Sequence, residues 1–220
     1  MLWLALLGGV TGIDTVSCVQ SMISRPIVAG PLAGALLGDP VSGMYAGVLL
    51  ELVSLNQLPI GANRGWDTGP ATVAASAVVA LQASPGPVTW IVAGGFGVLV
   101  GWVGGWTVHV MRQGTARMVS DERRGSITPR ALSVRHLSAL TIDFFRAAGL
   151  TLLALFCGSF VLASAEAEPA AAGSAAAVVL LAFVGLTLGA DVRMIAKGRR
   201  VAIAFAAGLV VSMMIALWRG

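Results

Sequence analysis

Residues 88–111 read VTWIVAGGFGVLVGWVGGWTVHVM, a run of 24 positions without an aspartate, glutamate, lysine or arginine. A helix of about 20 apolar residues crosses the hydrocarbon core of a bilayer, so this run predicts a membrane-spanning helix. The whole chain has 28 glycines and 6 tryptophans, which suit close helix packing and the membrane interface.

Working outward, three further runs are long enough, or nearly so, to span a bilayer: residues 147–165, 170–190 and 201–218. Six of the 14 basic residues fall within residues 112–135 and four within residues 193–200, whereas the link at 166–168 contains only acidic charges. Basic residues favour the cytoplasmic side in short loops. We therefore expect both basic segments in the cytoplasm and residues 166–168 outside.

Composition agrees with a membrane location. Hydrophobic residues make up 57% of the chain, charged residues only 11%, and the mean hydropathy is +0.88. A soluble domain of this size needs far more charge on its surface. Because the net charge of +4 comes from loops between apolar segments, it indicates topology and argues against a nucleic-acid partner.

The first 87 residues have a different pattern. Charges break them into apolar pieces of about 10 to 13 residues, too short to span a bilayer, at Asp14, Arg25, Asp39, Glu51, Arg64 and Asp67. Such pieces predict discontinuous or re-entrant helices, which transporters use to build binding sites. The predicted fold is a single membrane domain, all-α and polytopic, with broken helices in residues 1–87, about four spanning helices in 88–220 and a cytoplasmic loop at 112–135.

Glu51 is the strongest candidate for a functional acid. It is the only charge in a helix predicted over residues 45–58, and no basic residue lies at helical spacing to pair with it. The carboxylate must therefore be satisfied by another segment, by water or by a ligand.

Amides, a tryptophan and charged residues follow Glu51 closely. Carboxylates and amides bind sugar hydroxyls directionally, and an aromatic ring covers a pyranose face. The candidate solute-binding residues are Glu51, Asn56, Asn63, Arg64, Trp66 and Asp67. Arg64 is expected to neutralise Glu51 or Asp67. The alternative for residues 56–67 is an exposed polar loop with an interfacial tryptophan.

Other polar positions favour structural roles. Asp39 precedes Pro40 and is expected to cap a helix. For Asp14, a helix cap and a functional site are equally expected. Cys18 and Cys157 lie in apolar surroundings and are predicted to be buried, inert thiols. No catalytic constellation, metal-ligand spacing or phosphate-binding loop occurs in the sequence, so no cofactor is predicted.

Four segments in one order resemble a known family. They are residues 24–32 (SRPIVAGPL), 34–39 (GALLGD), 47–52 (GVLLEL) and 60–62 (IGA), with weaker likeness through 123–126 and 136–138 to Arg146. The combination is similar to enzyme IIC of the mannose/fructose/sorbose phosphotransferase family. Glu51 matches the family glutamate, and Asp67 matches the aspartate after the isoleucine-glycine-alanine turn. Trp66 replaces the usual proline, and Arg64 adds a charge.

The resemblance implies a bacterial inner-membrane, multi-pass subunit that moves a hexose or related sugar and is not catalytic alone. It implies pairing with a IID membrane subunit, assembly of the pairs into trimers, and phosphoryl supply from soluble IIA and IIB proteins. Two alternatives stay open. One is a regulatory or scaffolding protein that kept the IIC fold and lost transport; the other is an unrelated secondary transporter or channel.

Overall fold

A computed structural model describes residues 1–18, 20–55, 65–82, 84–120, 128–165 and 203. This part of the chain is helical and contains no strand. Its six helices are α1 (Leu2–Val16), α2 (Pro26–Leu36), α3 (Pro40–Ser54), α4 (Thr68–Ala80), α5 (Pro87–Ser120) and α6 (Pro129–Ala165). The prediction of an all-helical fold is therefore confirmed for the described residues.

Helix lengths divide these elements into two groups. α5 and α6 contain 34 and 37 residues, about 50 Å and 55 Å at 1.5 Å per residue. Both are long and apolar enough to cross a membrane. α1 to α4 contain 11 to 15 residues each, short as predicted. The predicted spans at 170–190 and 201–218 lie outside the described residues, Ile203 excepted.

The two long helices extend beyond their apolar runs. α5 continues from the end of the run to Ser120, and α6 begins at Pro129, so both enter the segment predicted as a polar loop. The start of α6 is stabilised by Thr128, whose hydroxyl oxygen accepts a hydrogen bond of 3.4 Å from the Ala131 amide. Charged residues limit the part of a helix that can face lipid, but they do not end the helix itself. The helices are therefore longer than the apolar runs.

α4 is the central element. Among the six described helices it alone contacts all five others, and its residues 69–79 are all buried. These residues are small or apolar on every face, the pattern of an interior helix. With 13 residues, about 20 Å, α4 depends on its neighbours for cover within the membrane.

A tight turn joins α2 to α3. Gly38 takes φ +89°, a left-handed conformation that glycine adopts without steric cost. Asp39 then caps α3, because its Oδ1 accepts a hydrogen bond of 3.0 Å from the Ser42 amide, and Pro40 occupies the first helical position. The structural role predicted for Asp39 is confirmed.

Four glycines let α2 and α3 pack backbone against backbone. Gly30 and Gly34 on α2 face Gly43 and Gly47 on α3, so each helix contributes a pair of small residues four positions apart. A Cβ atom added at Gly43 would lie 2.8 Å from Gly34 Cα and overlap the Gly30 carbonyl. The two helices therefore form one closely packed hairpin.

This packing predicts a large effect from one methyl group. Gly43→Ala is expected to destabilise the protein by about 1–3 kcal/mol, because the hairpin must separate to admit the side chain. Gly95→Ala and Gly149→Ala are matched controls, since both positions are helical and open and alanine favours helix. Thermal unfolding in detergent measures the difference. Equal melting temperatures for Gly43→Ala and the controls would contradict the close packing.

Both cysteines are exposed, which corrects the prediction of buried thiols. Cys157 lies beside Phe156 on the outward face of α6, and both side chains are accessible. An apolar neighbourhood in a membrane protein sequence does not distinguish the protein interior from a lipid-facing surface, because both are apolar.

Candidate solute site

Glu51 is buried in α3 and is satisfied by another segment, one of the outcomes expected from its sequence. Its carboxylate forms an ion pair with Arg25, and its Oε2 accepts a hydrogen bond of 3.3 Å from the Ile27 amide. The Glu51 side chain is 11% exposed and that of Arg25 is 46% exposed. Glu51 thus places a negative charge at the first turn of α2, where the helix dipole favours it.

The segment that presents Arg25 is held by Asp14 of α1. Asp14 accepts hydrogen bonds from the Ser21 amide at 2.6 Å, the Ser21 hydroxyl at 2.6 Å and the Ser24 amide at 2.9 Å. Gln20 and Met22 in this segment have positive φ values of 49° and 68°, conformations that cost energy for residues with a side chain. The Asp14 carboxylate therefore stabilises a strained turn.

The same segment also contacts the beginning of α4. The Thr68 hydroxyl donates a hydrogen bond of 3.2 Å to the Ser24 carbonyl. Ser24 is thereby held by Asp14 on one side and by Thr68 on the other. The position of Arg25 consequently depends on both α1 and α4.

Asp67 precedes α4 and is 1% exposed. Its Oδ2 lies 2.8 Å from Nη1 of Arg146, although neither Asp67 oxygen accepts a hydrogen bond of regular geometry from the described residues. Its backbone amide donates to the Gly101 carbonyl at 3.1 Å. Asp67 thus joins the beginning of α4 to α5 and α6.

Arg146 is the centre of a buried network. Its Nε and Nη2 both lie 2.8 Å from Oδ1 of Asp143, and its Nη1 donates a hydrogen bond of 2.9 Å to the Thr107 hydroxyl. Asp143 is fully buried and also accepts a hydrogen bond from the Ser17 hydroxyl. Together with Asp67, these side chains connect α1, α4, α5 and α6. Two carboxylates therefore share one guanidinium.

A narrow cleft separates α3 from the beginning of α4. Its walls are formed by Pro26, Leu50, Ser54, Trp66, Thr68, Ala71, Thr72 and Gly97. The Trp66 ring packs near the backbone of α5, 3.6 Å from a Cβ atom built on Gly101. The cleft encloses about 10 Å³, room for about one water molecule.

A larger groove of about 350 Å³ lies between α5 and α6. Most of its wall is apolar, and its lining residues with polar side-chain groups are Trp106, Thr107, Thr115 and Arg146. Arg146 is already paired with two carboxylates. Few polar groups remain to bind a polar solute, so this groove is the weaker candidate site.

The structure places three of the six predicted site residues: Glu51, Trp66 and Asp67. Trp66 lines the cleft, whereas Glu51 and Asp67 are each adjacent in sequence to a lining residue and direct their carboxylates toward arginines. Asn56, Asn63 and Arg64 lie outside the described residues. Within the described part of the chain, the counter-charges are Arg25 and Arg146.

Neither arginine was assigned to the site from sequence. Arg25 stands in the matched SRPIVAGPL segment, 26 positions before Glu51, so helical periodicity could not pair them. The pairing of Arg146 with Asp143 could have been predicted, because the two residues are three positions apart, a spacing at which side chains on a helix meet. Among the described residues, no group of three or more His, Cys, Asp or Glu side chains is arranged to hold a metal ion.

The described residues thus combine two helices long and apolar enough to cross a membrane with charged groups paired inside the helical bundle, as in an all-helical membrane protein. Residues 1–219 match the family model described as "PTS system sorbose-specific iic component". The chain belongs to this family of membrane transport components of the sugar phosphotransferase system.

Comparison with solved structures agrees on the fold. A structure described as "Structure of membrane protein" matches with a TM-score of 0.66 and 19% identity, covering 99% of this chain and 95% of that chain. At this identity the likeness concerns the fold alone. No curated protein matches the chain.

Proposed function

We propose that this chain is the sugar-translocating IIC subunit of a mannose-type phosphotransferase permease of the bacterial inner membrane. It binds a hexose or related sugar at the cleft between α3 and the beginning of α4 and moves it across the membrane for phosphorylation by a IIB partner. The observation that carries this proposal is the buried Glu51 carboxylate, paired with Arg25 beside the cleft, in a chain whose family consists of transport components.

The cleft has suitable chemistry for a sugar. Trp66 contributes an aromatic ring to the lining, and Ser54, Thr68 and Thr72 are lining residues with hydroxyl groups. All three hydroxyls donate to backbone carbonyls, at 3.0, 3.2 and 2.7 Å. Their oxygens therefore remain available as acceptors for the hydroxyl protons of a sugar.

Binding requires the cleft to widen, because a hexose is much larger than the water-sized space present. The α2–α3 hairpin is suited to move as one piece, since its helices pack backbone against backbone. Movement of this hairpin relative to α4 would separate Ser54 from Thr68 and admit solute. In the opened site, Glu51, with the predicted Asn56, Asn63 and Arg64, would contact the sugar together with Trp66.

The proposed complex includes a IID membrane subunit, assembled with this chain as a trimer of pairs, and soluble IIA and IIB proteins. The short helices α1 to α4 support this proposal. Exposed apolar residues along them, including Leu2, Trp3, Ile27 and Tyr45, need lipid or protein cover, and helices of this length obtain little cover from a bilayer they do not span.

Uptake of labelled sugars tests the function directly. Cells or vesicles containing this chain and its IID partner are expected to accumulate phosphorylated sorbose, mannose or fructose only when the soluble phosphotransferase proteins are present. Accumulation of unmodified sugar would indicate a secondary transporter. Absence of uptake together with a specific interaction with IIA or IIB would indicate a regulatory protein with the IIC fold.

A further inference from the structure

The side chain of Asp67 lies on one side of a short segment, and its neighbours Trp66 and Thr68 line the cleft on the other side. The Asp67 side chain packs toward α5 and α6, where a Cβ atom built on Gly104 would lie 2.5 Å from Asp67 Cβ, and its carboxylate reaches Arg146. Trp66 and Thr68 line the cleft instead. Whatever holds Asp67 in place therefore also fixes two cleft-lining residues.

We propose that Arg146 is a positioning residue for the solute cleft: by holding the Asp67 carboxylate against α6, it fixes Trp66 and Thr68 in the cleft wall. The inference rests on the proposed function for its binding readout. It assigns Arg146 a role at a cleft that its own side chain does not line.

The electrostatics make this arginine difficult to replace. Asp67 and Asp143 are 1% and 0% exposed, and Arg146 is the cation that contacts both of them. Without it, two carboxylates would remain buried with no opposite charge among the described residues, which is strongly destabilising. We expect the change to fall on Asp67, because it lies just before α4 whereas Asp143 lies within α6.

The guanidinium shape is as important as its charge. Arg146 directs Nη1 to Asp67 and Thr107 while Nε and Nη2 bind Asp143. A lysine ammonium is a single point charge and does not reproduce this fork. Arg146→Lys should therefore retain the fold and position Asp67 poorly, which separates positioning from simple charge balance.

Equilibrium binding of labelled sorbose, mannose and fructose, each measured separately on the purified complex, tests the role. Arg146→Gln is expected to lower the affinity for the bound sugar about ten-fold or more, and Arg146→Lys by a smaller factor. The double variant with Asp67→Asn and Arg146→Gln should bind sugar no more weakly than the weaker-binding single variant. Both substitutions remove the same contact, the ion pair between positions 67 and 146.

Gly8→Ala is the matched control for stability. Its added Cβ would lie 2.7 Å from Thr151 Cβ in the contact between α1 and α6, so it disturbs the packing of α6 away from Asp67. At a comparable loss of melting temperature it should bind sugar normally. If Arg146→Gln binds as well as Gly8→Ala, or if the effects of Asp67→Asn and Arg146→Gln multiply, Arg146 does not position the cleft.

A readout without sugar separates this inference from the proposed function. In a background with Cys18 and Cys157 replaced by serine, the labelling rate of Thr68→Cys should change when Arg146→Lys is added. An unchanged rate overturns the positioning role even if sugar binds. A changed rate in a protein that binds none of the three sugars supports the positioning role and counts only against these three sugars as the solute.

Discussion

Glu51→Gln is expected to lower sugar affinity about ten-fold or more while the protein still inserts and assembles. The amide keeps the shape of the side chain and an oxygen for the Ile27 amide, but it removes the negative charge that pairs with Arg25. Arg25 is then free to move into the widened cleft, and the sugar loses a charged acceptor. Equilibrium binding on the purified complex measures the affinity.

The control for Glu51→Gln is Asp39→Asn. It also neutralises one acid, but Asp39 caps α3 away from the cleft, and asparagine is an equally good cap. Arg25→Gln should be the more destabilising single change, because it leaves the Glu51 carboxylate buried without a cation. Normal affinity in well-assembled Glu51→Gln would remove Glu51 from the solute site and leave the family assignment intact.

Asp14→Ala is expected to lower the free energy of unfolding by about 3 kcal/mol or more, since hydrogen bonds to a charged acceptor contribute about 1.5–3 kcal/mol each. Three such bonds hold the turn containing Ser21 and Ser24. Loss of the turn should also displace Arg25 and weaken sugar binding. Thermal unfolding and equilibrium binding measure the two effects.

Asp39→Ala supplies the comparison for Asp14→Ala. Asp39 caps α3 through a single hydrogen bond from an amide, so its loss should cost about 1 kcal/mol. Sugar affinity should be unaffected by this control. Equal destabilisation by the two variants would show that the turn does not depend on Asp14. Unchanged affinity in Asp14→Ala would show that sugar binding does not depend on the turn.

The sequence predicted the broad architecture because charge placement follows membrane geometry. The apolar run at 88–111 became α5. Among the described residues of the first 87, the charges lie at the ends or in the interiors of short helices: Asp14, Arg25, Asp39, Glu51 and Asp67. The spacing of Asp39 and Pro40 was enough to predict a cap, since capping involves only local contacts. Local rules thus predicted local features.

The ion pairs between distant segments could not be predicted from local sequence patterns. Glu51 was recognised as an acid in need of a partner, yet Arg25 reaches it from the segment before α2. Asp67 likewise meets Arg146 across 79 positions of sequence. Periodicity identifies neighbours only within one helix. The cleft was also not predictable from sequence. Three of its lining residues are Ser54, Thr68 and Thr72, and serine and threonine occur in many helices that line no cleft.

The long separation of Asp67 from Arg146 has a consequence for biogenesis. Translation adds about 5–20 residues per second, so the arginine is synthesised roughly 4–16 s after the aspartate that it neutralises. During that interval α4 lacks its counter-ion and α6, and α5 is completed only partway through it. We therefore expect an ionised Asp67 to stay in water, at the insertion machinery or the membrane surface, until α6 emerges. Entry of α4 into the bilayer is expected to be a late, post-insertional step.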